Sequence, residues 1–361
     1  MFHYPLSASN PLGNISSMST QTKIFITGAT GFIGGSILQR LLDHPDAAKF
    51  NFTALVRSKE KADKFNAIGV KGVTGTLQDL PLLENLSADA DIVLSNADND
   101  DLDMAQAILR GMKRHRDATG VIPTLIHTSG TGCLADDATG DRVGEVIYDD
   151  LNPDQIETLA DTQQHRNVDL ELVKADKEGY VKTYIVLPSH IYGLATGKLV
   201  NLGIQNPQSI LIPLLTRAAL SRGRGGMVGA GRNVWPNVHI DDVADLYIIL
   251  LDLIRSNPAS VGHGREGFYF GENGENTFYD MTKAIAEGLV TLGKATNPGP
   301  STFTDEEIKL YFQGSTFWGS NSRCHANRSR AIGWKPVKTT QDLLASILPE
   351  IEVILKNDAA T

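Results

Sequence analysis

Three groups of residues in this 361-residue chain have types and spacings that could do chemistry. The first is Gly28-Ala29-Thr30-Gly31-Phe32-Ile33-Gly34. Glycines so spaced suit a tight turn against a pyrophosphate: Gly28 lets the chain reverse, Gly31 lets backbone amides approach the phosphates, and Gly34 lets a helix pack closely on a strand. The helix N-terminus that follows offers unpaired N–H groups to the same anion. The second group is the hydroxyl pair Ser129 and Thr131, either of which can hold a substrate oxygen. The third is His165 with Asp169, four residues apart and so on one face of a helix. A carboxylate beside an imidazole orients it and raises its pKa, which makes an acid/base group working near neutral pH. The same spacing also fits a purely structural helix pair, and the two readings stay open here.

These groups need elements to hold them. Ile24, Phe25 and Ile26 read as a strand entering the glycines, and apolar residues at 33, 37, 38, 41 and 42 have helical spacing. Further strands are expected at 51–56, 69–75, 91–97, 124–132 and 183–187, with a long amphipathic helix over 102–116 and another beginning near Thr162. The alternation predicts an α/β fold, a doubly wound parallel sheet of the Rossmann type that binds ligands at the strands' carboxyl ends. Thr128, Ser129 and Thr131 fall at such an end. At the end of the second strand an acidic residue would read a ribose 2′-hydroxyl, but the chain has Arg57, with Lys59 and Lys61 nearby. A guanidinium forks well onto a phosphate, so the predicted cofactor is NADP(H), with Arg57 on its 2′-phosphate. Residues 135–159 read as an acidic, loop-like insertion. Helices are expected at 210–221, beneath a substrate cleft, and at 279–292 and 305–312. The basic end of the 102–116 helix (Arg110, Lys113, Arg114, Arg116) reads as favourable charge at a helix C-terminus, and Asp241 or Asp242 as a helix cap.

Composition narrows the partners. A net charge of −9 argues against nucleic acid. With 41% hydrophobic residues and no apolar run of bilayer length, no membrane partner is expected. Cys133 and Cys324 are far apart and lack metal-ligand spacing, which suits reduced thiols and a cytoplasmic location. His127 and His190 lack a third ligand, so no metal is expected. Residues 1–20, with no Lys or Arg, read as a flexible tail, and 351–361 as another.

The glycine turn preceded by Thr27 resembles that of the extended short-chain dehydrogenases/reductases, a branch of NAD(P)-dependent epimerases, dehydratases and reductases. Pro188-Ser189-His190-Ile191-Tyr192-Gly193, Val238-His239-Ile240-Asp241-Asp242-Val243-Ala244 and Ile332-Gly333-Trp334-Lys335-Pro336 extend the resemblance over about residues 23–350. It implies a dinucleotide-binding domain over 21–193 to which 229–270 returns, and a substrate-binding portion made of 194–228 and 271–350. It also implies that Thr76-Leu77 and Ala97-Asp98 lie against the adenine half of the cofactor and that Pro188, Ser189, His190 and Ile191 lie against the nicotinamide. A homodimer through the long helices is the family expectation.

The family's usual engine is a Ser or Thr with a Tyr-x-x-x-Lys pair. Here His165-x-x-x-Asp169 stands in that pair's place, and Ser129 sits one position early, with Gly130 where the family has its Ser. Thr131 is therefore a second candidate. The literal Tyr279-x-x-x-Lys283 falls in the substrate portion, while Tyr148 and Tyr192 are available phenols. The expected function is an NADP(H)-dependent oxidoreductase acting on a carbonyl or alcohol of a small organic molecule. The alternatives are a non-redox epimerase, isomerase or lyase, and a dinucleotide-sensing regulator similar to the NmrA type that performs no turnover.

Overall fold

The computed structural model describes residues 21–358, so the tail expected at 1–20 lies outside the described residues. The first half alternates strand and helix: β1 (Thr22–Thr27), α1 (Phe32–Leu42), β2 (Phe50–Val56), α2 (Lys59–Asn66), β3 (Lys71–Thr74), α3 (Leu80–Ala88), β4 (Ile92–Ser95), α4 (Leu102–Thr119) and β5 (Thr124–Thr128). Then come α5 (Arg166–Lys177), β6 (Lys182–Pro188), β7 (His190–Tyr192), α6 (Leu211–Arg222), β8 (Val234–His239), α7 (Ile240–Ser256), β9 (Phe268–Gly271), β10 (Glu275–Thr277), α8 (Phe278–Thr291), α9 (Asp305–Phe312) and α10 (Thr340–Asp358).

Seven strands form one parallel sheet in the order β9-β6-β5-β4-β1-β2-β3. Its strands are buried on both faces, as a parallel sheet covered by helices requires: Ile24, Phe25 and Ile26 are at most 1% exposed. The order reverses direction between β1 and β4, and in such sheets the ligand crevice opens at that point, beyond the strands' carboxyl ends. Thr27 of β1 pairs with Ser95 of β4, and Ser95 with His127 of β5, so the segments after 27, 95 and 128 leave the sheet along one edge. Helix α7 packs on α1, and its Val243, Leu246, Tyr247 and Leu250 join the sheet's core. A second apolar cluster, built on Leu215, Phe278, Met281, Ile285, Leu343 and Ile347, lies among α6, α8 and α10.

Several elements depart from the sequence reading. Of the segment 351–361, expected as a tail, residues 351–358 are the end of α10, with Ile351 and Ile354 fully buried, and 359–361 lie outside the described residues. The cap of α7 is His239, whose Nδ1 accepts the Asp241 N–H at 3.1 Å, rather than either aspartate. Asp242 is buried and accepts the N–H groups of Val337 and Lys338 at 3.0 Å each. Within the insertion, Tyr148–Asp149 pairs with Cys324–His325, and buried Asp150 accepts N–H groups from Phe270, Arg328 and Ser329. That insertion is therefore stitched to the C-terminal portion. The basic end of α4 meets α3, with Arg110 and Arg114 each 3.1 Å from Glu84.

Candidate active site

The glycine turn joins β1 to α1. Gly28 has φ +71°, a left-handed conformation that glycine adopts without strain, and a Cβ there would lie 2.5 Å from the Asn96 carbonyl oxygen. A Cβ on Gly34 would lie 2.4 Å from the Gly28 carbonyl oxygen, and one on Gly31 would lie 3.1 Å from it. The three glycines thus let the turn, the Asn96 backbone and the start of an 11-residue helix capped by Gly31 approach more closely than side chains would allow, which leaves that helix N-terminus bare. A dinucleotide's pyrophosphate fits this arrangement. The turn is also tied to the segment after β7: Thr30 O accepts the Asn206 N–H at 2.9 Å, and Phe32 O accepts from Gln205 Nε2 at 3.1 Å.

At the end of β5, Ser129 Oγ donates to Asp169 Oδ2 at 3.1 Å. Asp169 is wholly buried, and that burial raises its pKa to about 7, although the Ser129 hydroxyl and Arg166 pull it down. Thr131 is also buried, and its hydroxyl has no partner among the described residues. Thr128 Oγ1 lies 2.8 Å from Asn96 Oδ1 and 2.5 Å from the Tyr247 hydroxyl, so it serves the internal frame of the site.

The expected pairing of His165 with Asp169 is corrected. Helix α5 begins at Arg166, not near Thr162, and His165 is its cap residue at φ +67°, a strained conformation for a non-glycine. The imidazole therefore turns away from the helix face that carries Asp169. It meets Asp100 instead, with Nδ1 2.8 Å from Oδ1, and the same oxygen accepts the His165 backbone N–H at 2.9 Å. An ionised carboxylate can only accept, so Nδ1 carries the hydrogen and Nε2 is left as the acceptor nitrogen, with Asn99 Nδ2 donating to it at a long 3.5 Å. Nε2 faces the strand exit, because Cβ atoms placed on Gly130 and Gly132 would lie 3.2 and 3.3 Å from it. Burial lowers the His165 pKa, and Asp100 recovers part of the loss.

These groups share one cavity of about 510 Å³. It is lined by Gly31, Phe32 and Ile33 from the glycine turn, by Ser129, Thr131 and His165, and by Pro188, Ser189, His190 and Ile191 after β6. Gly28, Thr30 and Gly34 belong to the turn, whereas Arg57, Leu77, Ala97, Thr128 and Asp169 lie outside the cavity lining. Arg57 is exposed at the carboxyl end of β2. Lys59 is engaged by Asp63 at 2.8 Å and Lys61 by the carbonyls of Gly203 and Ile204, while among the described residues no carboxylate pairs with Arg57. Ser189 Oγ is bonded to the Gly271 carbonyl at 2.8 Å. Buried His190 stacks on Trp235, ring centroids 4.3 Å apart, and desolvation lowers its pKa to about 3. The spare phenols are elsewhere: Tyr192 donates to the Thr339 carbonyl at 2.8 Å, and Tyr148, Tyr279 and Lys283 are outside the lining.

Sequence reasoning missed Asn96, Asn99, Asp100, Gln164, Trp235, Phe317 and Trp318 as site residues, all but Asp100 of which line the cavity. For Asn96 to Asp100 a signal existed, since they follow a parallel strand at its ligand-binding end. For Phe317 and Trp318 there was none, because only tertiary structure carries them across from the C-terminal portion.

A glycine turn at a Rossmann switch point, with a cavity opening beside it, defines the class as a dinucleotide-binding protein. A family model described as NAD(P)H-binding matches residues 28–175. The chain is 32% identical over 356 residues to the oxidase ucsJ of an Acremonium species, covering 93% of this chain and 97% of that one. It is 31% identical over 123 residues to a 4-hydroxy-2-methyl-3-oxo-4-farnesyl-3,4-dihydroquinoline-1-oxide ketoreductase of Stigmatella aurantiaca, a local match covering 32% of this chain and 35% of that one. Among solved structures it is similar to the dTDP-glucose 4,6-dehydratase DesIV of Streptomyces venezuelae, with a TM-score of 0.64 at 18% identity over 94% of this chain and 98% of that one. The protein belongs to the extended short-chain dehydrogenase/reductase family.

Proposed function

We propose that this protein is an NADP(H)-dependent oxidoreductase that interconverts a carbonyl and an alcohol on a small organic molecule. The observation that carries the reading is the opening of His165 Nε2 onto the same cavity as the glycine turn and the Pro188 segment. The relatives named oxidase and ketoreductase agree with it. Gly28, Gly31 and Gly34 would hold the pyrophosphate, Pro188 and Ile191 the nicotinamide side, and Arg57, which pairs with no carboxylate among the described residues, the 2′-phosphate. NADP(H) bound there supplies the hydride in reduction and accepts it in oxidation.

The chain's own residues handle the oxygen and its proton. The unpartnered hydroxyl of Thr131 holds the substrate oxygen, with Ser129 behind it. In reduction His165 gives the Nε2 proton to the forming alkoxide; in oxidation the neutral imidazole takes the hydroxyl proton. Asp100 positions His165 and stabilises its charged form. Asp169 holds Ser129 rather than His165. This relay takes the place of Tyr-x-x-x-Lys.

The test is NADPH oxidation followed with a panel of ketones and aldehydes, comparing the wild type with His165→Ala. Turnover of at least one carbonyl is expected, with a loss of roughly 10²–10⁴-fold in the variant. An unchanged rate in His165→Ala would remove the imidazole from the relay, and no turnover across the panel would return the non-redox and regulatory readings to the front.

A further inference from the structure

The end of the cavity away from the glycine turn is walled by rings. His190 and Trp235 lie parallel to within 3°, Phe317 meets Trp235 edge-on at 5.5 Å, and Trp318 lies 5.2 Å from Phe317 and 6.0 Å from His190. Phe317 and Trp318 are only half-buried, so part of each ring remains open to a ligand. At the rim Ile210 is 81% exposed beside buried Leu211 and extends the apolar surface outward.

Charge is missing from this wall. Among the described residues lining the cavity there is no Lys, Arg, Asp or Glu, and burial holds both of its histidines toward the neutral form. A diphosphate or carboxylate drawn into such a place would lose its water and find no cation, a combination that strongly opposes binding. A neutral ring system would find aromatic faces and edges instead. The polar atoms of the lining are uncharged, and Thr131 Oγ1, Ser209 Oγ, Gln208 Nε2 and both ring nitrogens of His190 are buried without partners among the described residues. A pocket with an apolar wall and a handful of such atoms orients a ligand by its carbonyl and hydroxyl substituents.

Taking the oxidoreductase reading for where the reacting oxygen sits, we infer that the substrate is an uncharged compound with its ketone or alcohol on or beside a planar ring system. The ring packs against Trp318 and Phe317, and nucleoside-diphosphate sugars are excluded. The apolar rim at Ile210 suits a ligand that enters ring-first from solvent.

Isothermal titration calorimetry on the NADP⁺-loaded protein tests this without turnover, using 2-acetylnaphthalene and UDP-glucose as probes. Saturable binding of the ketone is expected, weakened roughly tenfold or more by Trp318→Ala and largely restored by Trp318→Phe. UDP-glucose should give no binding heat. Unchanged NADP⁺ affinity in both variants shows that they are folded, and Phe317→Ala supplies a second probe of the wall should Trp318→Ala fail that control. Saturable UDP-glucose binding, no ketone binding, or ketone binding indifferent to both Trp318→Ala and Phe317→Ala would each overturn the inference. The NADPH oxidation assay over the full carbonyl panel keeps the two readings apart: ketone binding with no hydride transfer to any member of the panel sinks the oxidoreductase reading and leaves the ring site standing.

Discussion

Oδ1 of Asp100 accepts twice from His165, from the backbone N–H at 2.9 Å and from Nδ1 at 2.8 Å. One carboxylate thereby holds the residue in its left-handed conformation and fixes which ring nitrogen faces the cavity. Strain of this kind persists where surrounding bonds over-determine it.

A pH dependence follows. The His165 pKa lies below the ordinary imidazole value, so at neutral pH the group is mostly unprotonated. Reduction needs the protonated form and should accelerate as pH falls through that lowered pKa, while oxidation should be fastest above it. Asp100→Asn keeps the accepting oxygen but removes the negative charge that raises the His165 pKa. Its reduction profile should therefore move to lower pH, with kcat/KM near pH 7 down roughly tenfold. A kcat/KM profile superimposable on the wild type would show that Asp100 does not tune the imidazole.

The proposed preference for NADP(H) rests on Arg57. Arg57→Asp replaces a forked donor by a carboxylate that would repel a 2′-phosphate. The dissociation constant for NADPH should rise by about 2–4 kcal/mol, or roughly 30- to 1000-fold, while that for NADH changes little. Fluorescence titration of both nucleotides measures the ratio. Equal losses for the two would place Arg57 away from the phosphate.

The sheet and the glycine turn were legible in the sequence for a local reason. Strands buried on both faces write consecutive apolar residues, such as Ile24 to Ile26, and the turn writes its glycines within seven positions. The proposed proton group was legible only in part. His165 was visible, but its partner was assigned by helical spacing, and the spacing misled because the helix starts one residue after it. Asp100 is 65 positions away and reaches His165 only through the packing of the β4 exit against α5. The ring wall has the same character, since Trp235 and Phe317 meet across the fold. The end of α10 was a different kind of miss: Leu343, Ile347, Ile351 and Ile354 have helical spacing, so the signal was in the sequence.

Gly34 offers a test of the cradle. A methyl there would lie 2.4 Å from the Gly28 carbonyl oxygen, and backbone cannot swing aside as a flexible side chain could. Gly34→Ala should separate α1 from the turn, lower stability by about 1–3 kcal/mol and weaken NADPH binding at least in proportion. Thermal melts with and without NADPH read both effects; a variant that melts and binds as the wild type does would mean the turn is looser than this contact implies.

Ser129 and Thr131 should separate by role. Thr131 Oγ1 has no partner among the described residues, whereas Ser129 Oγ is bonded to Asp169. Thr131→Val should lower kcat/KM by about 2–3 kcal/mol, roughly 30- to 150-fold, mainly through kcat. Ser129→Ala should cost less in rate and more in stability, because it leaves a buried carboxylate without its donor. The reverse ordering in steady-state kinetics would make Ser129 the group that meets substrate.

The buried carboxyl of Asp169 links the site to stability. In the unfolded chain it loses its proton near the ordinary value of 3.8, and in the folded chain near about 7. Between those values the folded state holds the extra proton, so this group's contribution to stability falls as pH rises from 4 to 7 and does not return above that. Glu350, raised to about 7, and Asp150, raised to about 6, act in the same direction. Asp169→Asn keeps an acceptor for Ser129 and cannot ionise, so it should flatten the decline and exceed the wild type at pH 8 by roughly 1–4 kcal/mol. Urea unfolding midpoints at pH 5 and pH 8 decide it: wild type and variant falling by equal amounts would show that Asp169 is ionised in the folded protein across this range, with Arg166 outweighing burial.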